Sequence, residues 1–204
     1  MPAYKIQRLV GVQQNEDIET FEISHFYRDE QYKPVTKGQL TLHEGRGMEL
    51  VMWCYESNPR AIYHNPNDPV HTDSCLEGFI NFYPELQSLG YLSVEMNANG
   101  ASHCSFGTGR HTRSFILNRD LPHPEVKVEK LLIDNQEVWC ARALIRLSLI
   151  KSLYGRCDFP SEHLMRANFF KCGNHTDMPH WGSWSLIKHL DFHSPEYFGD
   201  LIIN

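Results

Sequence analysis

Several absences narrow the sequence before any motif is considered. No C-x-x-C pair occurs among Cys54, Cys75, Cys104, Cys140, Cys157 and Cys172. Several of these lie in apolar runs ("VMWCY", "EVWCA"), where cysteine packs as a small hydrophobe, so free thiols are expected rather than a disulfide framework. No long uncharged apolar run occurs either. The best candidate, "VWCARALIRLSLIKSLYG", is broken by Arg142, Arg146 and Lys151 and is too polar for a membrane span. The start "MPAYKIQRLVGVQQNED" lacks the charged head and apolar stretch of a secretory leader, and a cytoplasmic location is the expectation. A basic excess is missing too: net charge is -6 and pI about 6.0, which argues against a nucleic-acid partner. There is no internal repeat and no low-complexity tract.

What is present is a globular composition. The 204 residues are 41% hydrophobic and 12% aromatic, enough for one domain over 1–204 with a sizeable core. Short strand-like runs recur between turn residues. "QLTLHEG" and "MELVMWCYE" flank a hairpin at "EGRG". "SNPRAIYHNPNDPVHTDS", with three prolines, reads as a loop. "CLEGFINFYP", "YLSVEMNANG", "ASHCSFGTG" and "RSFILNRD" follow, then two strands about "DNQE", where "VKVEKL" alternates polar and apolar residues. "SLIKSLYG" reads as a short helix. The remainder is rich in loop residues and closes on the strand-like "GDLIIN". Many strands with few helices indicate an all-β sandwich or barrel.

Several residues are placed where chemistry is done. Glu77 stands within "LEGFINF", and Glu95 and Asn97 within "VEMN", where strands favour apolar side chains. Paired glutamates facing each other across a substrate make a glycoside hydrolase; carboxylates and amides on one face instead accept bonds from ligand hydroxyls or from water. "CGNHTDMPH" gathers Cys172, His175 and His180, with His71 and Asp73 upstream, but at spacings that match no zinc template. No G-x-S-x-G nucleophile motif occurs. Trp181 and Trp184 lie in the polar stretch "PHWGSWSL", unlike Trp53 and Trp139 in apolar runs. A tryptophan in a polar loop offers a flat face to a ligand ring, and Trp184 is expected to be the exposed one.

The stretch "NPNDPVHTDSCLEGFI", the strand "YLSVEMNANG" and the tail "MRANFFKCGNHTDMPHWGSWSLIKHLDFHSPEYFGDLIIN" together resemble carbohydrate-binding module family 9, within the wider DOMON-like group. The resemblance spans roughly residues 40–204 and implies a two-sheet antiparallel β-sandwich of immunoglobulin-like outline. Its implied function is non-catalytic binding of mono- or oligosaccharide chain ends beside glycan-degrading enzymes. The implied contacts are Trp184 as an aromatic plate and Glu77, Asn97 and Glu95 as hydroxyl acceptors. His71 stands where the family pattern has a second tryptophan, and Gly78 where a bulkier residue is usual. Some members hold structural calcium, and some DOMON-like relatives hold haem, for which Met96, Met165 and His103 are the conceivable ligands here. No metal site is expected from the residues themselves. An interaction module that has lost its sugar site is the remaining alternative.

Overall fold

Alternating side chains build two β layers that share one core. The computed structural model describes residues 1–11, 18–27, 31–86 and 88–204. The strands are β1 (Ala3–Leu9), β2 (Phe21–Glu22), β3 (His25–Phe26), β4 (Thr36–His43), β5 (Gly47–Tyr55), β6 (Cys75–Asn81) and β7 (Tyr91–Asn97). After these come β8 (Ser102–Gly107), β9 (Ser114–Phe115), β10 (Glu125–Ile133) and β11 (Gln136–Arg146). The helix α1 (Leu147–Tyr154) precedes β12 (Leu164–Gly173), β13 (His180–Ser183) and β14 (Gly199–Ile203). Among the described residues no helix is long and apolar enough to cross a membrane.

The strand order is β10-β11-β5-β4-β1-β14-β12-β6-β7-β8-β9. β1 joins the two layers: Ala3–Ile6 pair with β14 and Gln7–Leu9 with β4, both in parallel. The sheet is therefore mixed rather than wholly antiparallel, because β1 runs in the same direction as both of its neighbours. The expected hairpins are present. Asp134 and Asn135 at the β10–β11 turn both have positive φ, 50° and 61°, as a tight two-residue turn with right-handed strand twist requires. α1 ends at Gly155, whose φ of 76° lets its N–H reach the Lys151 carbonyl at 2.8 Å.

The layers meet through Leu50, Phe21, Phe169, Leu76, Ile80, Val94 and Met96, all buried in one cluster. Phe21 and Phe169 stack at 3.9 Å between ring centroids. Gly78 belongs to this contact and not to a ligand site, since a Cβ there would come within 2.4 Å of the Leu50 Cδ2.

The C-terminal stretch is less loop-like than its composition indicates, because β12 is a ten-residue strand between β14 and β6. Its buried Asn168 and Lys171 are satisfied inside the protein, while Arg166 pairs with Asp200 at the surface. Asn168 accepts from Ser185 N and Phe169 N and donates to Ser185 O, at 2.8–3.0 Å. Lys171 is fully buried; its Nζ donates to Ser74 Oγ (2.7 Å) and His180 Nε2 (2.7 Å) and lies 3.5 Å from Glu56. Glu56 also accepts from Ser74 and from Trp139 Nε1. Burial works against its charge, but Lys171 and these donors hold its pKa below the ordinary value. His180 donates from Nδ1 to Met178 O, so Nε2 accepts from Lys171; burial first, and then the lysine, push its pKa down to about 4 and keep it neutral.

Removing one member of this pair strands the other. Lys171→Met is expected to cost about 3–5 kcal/mol in urea unfolding by leaving the Glu56 charge buried and unpaired. Adding Glu56→Gln is expected to recover part of that loss; a double variant as unstable as the two single losses added together would show that the two side chains are not coupled.

Candidate functional site

β6, β7, β8 and β12 turn one set of side chains toward the core and the alternate set outward. The outward face is not solvated. It carries a second apolar cluster (Phe79, Tyr91, Phe170, Cys172, Phe192, Phe198) beneath the connections that follow β5 and β13. Strand register sets polar groups in a row within this covered face: Phe170 pairs with Glu77, Glu77 with Glu95, and Glu95 with His103. Cys172 and Cys75 are likewise opposed, with Asn97 beyond Cys75.

A cleft of about 280 Å³ opens onto this row, lined by His71, Glu77, Glu95, Arg110, Arg113, Cys172, Asn174, Trp181, Leu190, Phe192 and His193. Four connections build it: the one between β13 and β14 supplies Leu190, Phe192 and His193, and three others are tied down as follows. The first, before β6, is anchored by Asp73, which accepts from Arg60, Ile62 N, Tyr63 N and Asn97 Nδ2 and so fixes the short turn carrying His71. The second, between β12 and β13, is held where Trp181 Nε1 donates to Asn174 Oδ1 at 2.6 Å. The third, between β8 and β9, carries Arg110 and Arg113 and is tied by Arg110 to Asp191 (2.7 Å).

The electrostatics follow from burial. Glu77 and Glu95 are 2% and 3% exposed and occupy directly opposed positions, so ionising both is unfavourable. Burial above all, with Cys172 and Glu95 adding to it, raises the Glu77 carboxyl well above its ordinary value. Its Oε1 accepts from Cys172 Sγ at 3.0 Å. Burial also raises Glu95, to about 7, against the lowering pull of Arg113 and Arg110. His193 and His103 are pushed down to about 2 and about 4, chiefly by burial, and stay neutral. His193 stacks on Phe79 and shares a hydrogen bond with the Tyr91 hydroxyl at 2.8 Å.

Of the six residues expected at the site, the structure brings His71, Glu77, Glu95 and Trp181 to the cleft. It places Trp184 elsewhere. That residue is 7% exposed and packs in the inter-layer core near Phe21 and Phe169, so the expectation that it is the exposed tryptophan is corrected. The cause is strand alternation. β13 ends at Ser183, and Trp184 continues inward where Trp181 lies outward; Trp184 N also donates to Phe169 O at 2.9 Å. Asn97 is buried and fully used: it donates to Asp73 and Tyr63 O and accepts from Asn99 N and Ala101 N. It holds the loop in place and does not line the cleft.

Arg110, Arg113, Asn174 and His193 were missed by sequence reading. Arg110 and Arg113 lie in "GTGRHTR", which reads only as a turn; the two arginines on one short connection were the signal available.

Metal and cofactor readings divide clearly. Cys172, His175 and His180 are not brought together, since Cys172 faces the cleft and His180 bonds Lys171. Met96 and Met165 are in the core while His103 is on the outer face, so they form no haem ligand pair. Among the described residues, Cys75, Glu77 and Cys172 have donor atoms within 4.8 Å of one another. Two sulfurs make this set suited to a soft ion and not to calcium. Burial raises the Cys75 thiol, and the contact with Cys75, followed by burial, raises that of Cys172, so a metal would have to displace their protons.

A larger cleft of about 470 Å³ beside β10 and β11 is lined by Leu131, Leu132, Trp139 and Glu56. Lys130 and Glu137 also line it, but its Glu56 carboxylate is already engaged by Lys171, Ser74 and Trp139 and its Trp139 ring is buried, whereas the outer-face cleft combines a partly exposed aromatic plate with convergent polar groups, the usual make-up of a ligand site.

Stability should carry the imprint of the buried acids. Because the folded chain holds protons on Glu77 and Glu95 that the unfolded chain releases, stability falls as pH rises from about 4.5 through about 7. Glu77→Gln is therefore expected to raise Tm relative to the parent, by more at pH 8 than at pH 5; a gap independent of pH would contradict the buried, protonated carboxyl. Trp184→Ala is expected to cost about 3–5 kcal/mol and Trp181→Ala about 1–2 kcal/mol, as compared by urea unfolding.

The profile of carbohydrate-binding family 9 matches residues 12–203. Among solved structures the chain resembles a "putative carbohydrate-binding protein" from Bacteroides uniformis ATCC 8492, at 23% identity and a TM-score of 0.77 over 99% of both chains. It also resembles a family 9 carbohydrate-binding module from Caldicellulosiruptor kristjanssonii in complex with cellotriose, at 11% identity and a TM-score of 0.65, covering all of this chain and 94% of that one. The glucose complex of a family 9 module from the same organism gives 10% identity and a TM-score of 0.64, with 96% of that chain covered. No curated protein matches.

Proposed function

Because the chain belongs to carbohydrate-binding family 9, we propose that its outer-face cleft holds the end of a mono- or oligosaccharide without cleaving it. The observation that carries this reading is the meeting of Trp181 with Glu77, Glu95 and Asn174 in one cleft. A pyranose ring has an apolar face that lies on an indole and a rim of hydroxyls that needs hydrogen-bond partners. Trp181 supplies the first. Its N–H is held by Asn174, which fixes the plane of the ring before any ligand arrives. Glu95 and Glu77 supply the second, one able to accept from a hydroxyl and the other, when protonated, able to donate to one. His71 adds a half-buried imidazole 3.9 Å from the Glu95 carboxylate.

That two of the similar structures are complexes with cellotriose and glucose supports a saccharide as the class of ligand. Glycoside cleavage is the less favoured chemistry. Its two carboxylates flank the scissile bond, whereas Glu77 and Glu95 stand side by side on adjoining strands of one face.

Calorimetric titration with glucose, xylose, cello-oligosaccharides and xylo-oligosaccharides tests the proposal. Heat with at least one sugar, reduced about tenfold or more in Trp181→Ala, is expected, since losing an aromatic face costs about 1.5 kcal/mol. Trp184→Ala serves as the contrast: where folded, it should still bind. Binding that survives Trp181→Ala would place the ligand elsewhere.

A further inference from the structure

The two arginines at the cleft are not in equivalent states. Arg110 is neutralised, with Nε and Nη2 at 3.2 and 2.7 Å from one oxygen of Asp191. Arg113 is not. Its guanidinium donates to the backbone carbonyl of Arg110 at 3.2 Å, and among the described residues no carboxylate lies within ion-pair distance of it. It is half-buried on the cleft wall, close enough to act electrostatically on Glu95, Tyr91 and His193.

The floor cannot supply the missing countercharge in full. Glu77 and Glu95 are cross-strand partners almost wholly buried at the base of the cleft, and two carboxylates so placed do not both ionise. The floor therefore holds at most one negative charge, shared between the fields of two guanidinium groups. A neutral sugar settling here would cover Arg113 and replace part of its water without offering it a charge, which is costly for a cation. A ligand with its own anionic group removes that cost. The guanidinium fork matches the oxygens of a carboxylate, sulfate or phosphate, and the protonated member of the glutamate pair can donate to the ligand.

We propose that the ligand of this cleft is an anionic sugar whose charged group is held by Arg113. The proposal rests on the cleft being a sugar site and specifies the class of sugar. Trp181 then carries the ring and the glutamate pair its hydroxyls.

The test compares matched ligands by calorimetric titration at low and at physiological salt. Methyl glucuronide is set against methyl glucoside, galacturonate against galactose, glucose 6-phosphate against glucose, and N-acetylglucosamine 6-sulfate against N-acetylglucosamine. The charged member of at least one pair is expected to bind about tenfold more tightly or better, as one charge-assisted hydrogen bond implies. The preferred pair identifies carboxylate, phosphate or sulfate as the group. In Arg113→Met, checked for an unchanged Tm, the ratio within that pair is expected to fall toward one. Equal affinity within every pair would overturn this inference while leaving the sugar reading standing. A charged-sugar preference that persists in Arg113→Met would overturn the role of Arg113. No heat with any sugar, charged or not, would overturn both readings.

Discussion

Two carboxylates placed opposite each other on adjoining strands, both almost wholly buried at the base of a cleft, constrain the whole outer face of this protein. Glu77 and Glu95 occupy that arrangement because β6 and β7 pair in one fixed register, and a slip of one residue between the strands would turn one of the two toward the core. The register is held from the other side by inward residues, where Gly78 leaves room for Leu50 and Val94 packs in the same cluster. So the packing between the layers decides what is presented on the far side. Burial then suppresses ionisation of the pair, and the polar row becomes a set of donors and acceptors rather than a block of negative charge.

The rest of the cleft is built around that row by connections that are tied down at single residues. Asp73 gathers four donors and fixes the turn that carries His71; Arg110 ties its loop to Asp191; Asn174 holds the Trp181 indole. Below the same sheet, Lys171 and Glu56 settle their charges against each other, with Ser74, His180 and Trp139 completing the contacts. Preorganised side chains on a rigid β face are what a weak ligand such as a sugar needs, because little ordering entropy is left to lose on binding.

Much of this was legible in the sequence, and the failures have physical causes. Strand alternation and turn residues located most elements, including the helix at "SLIKSLYG" and the turn at "DNQE". The glutamates were visible because acids in strand-like runs are costly unless they are used. Composition misled at β12, where Arg166, Asn168 and Lys171 gave a largely buried strand the look of a loop; partners such as Glu56, Ser74 and Asp200 lie far away in sequence and cannot be seen in it. The two tryptophans of "PHWGSWSL" differ by three positions, which is odd, so on an extended chain they face opposite ways. Sequence alone could not say which way was outward, and it chose Trp184 where the structure sends Trp181 to the cleft. Asn97 was chosen for its chemistry, but its four hydrogen bonds are all spent inside the protein.

A crystal structure with a sugar bound tests the central claim most directly. The account predicts a pyranose ring lying on Trp181 with hydroxyls within hydrogen-bond distance of Glu77 or Glu95. A ring found instead in the cleft beside Trp139 and Leu131, with the outer-face cleft holding only water, would contradict it.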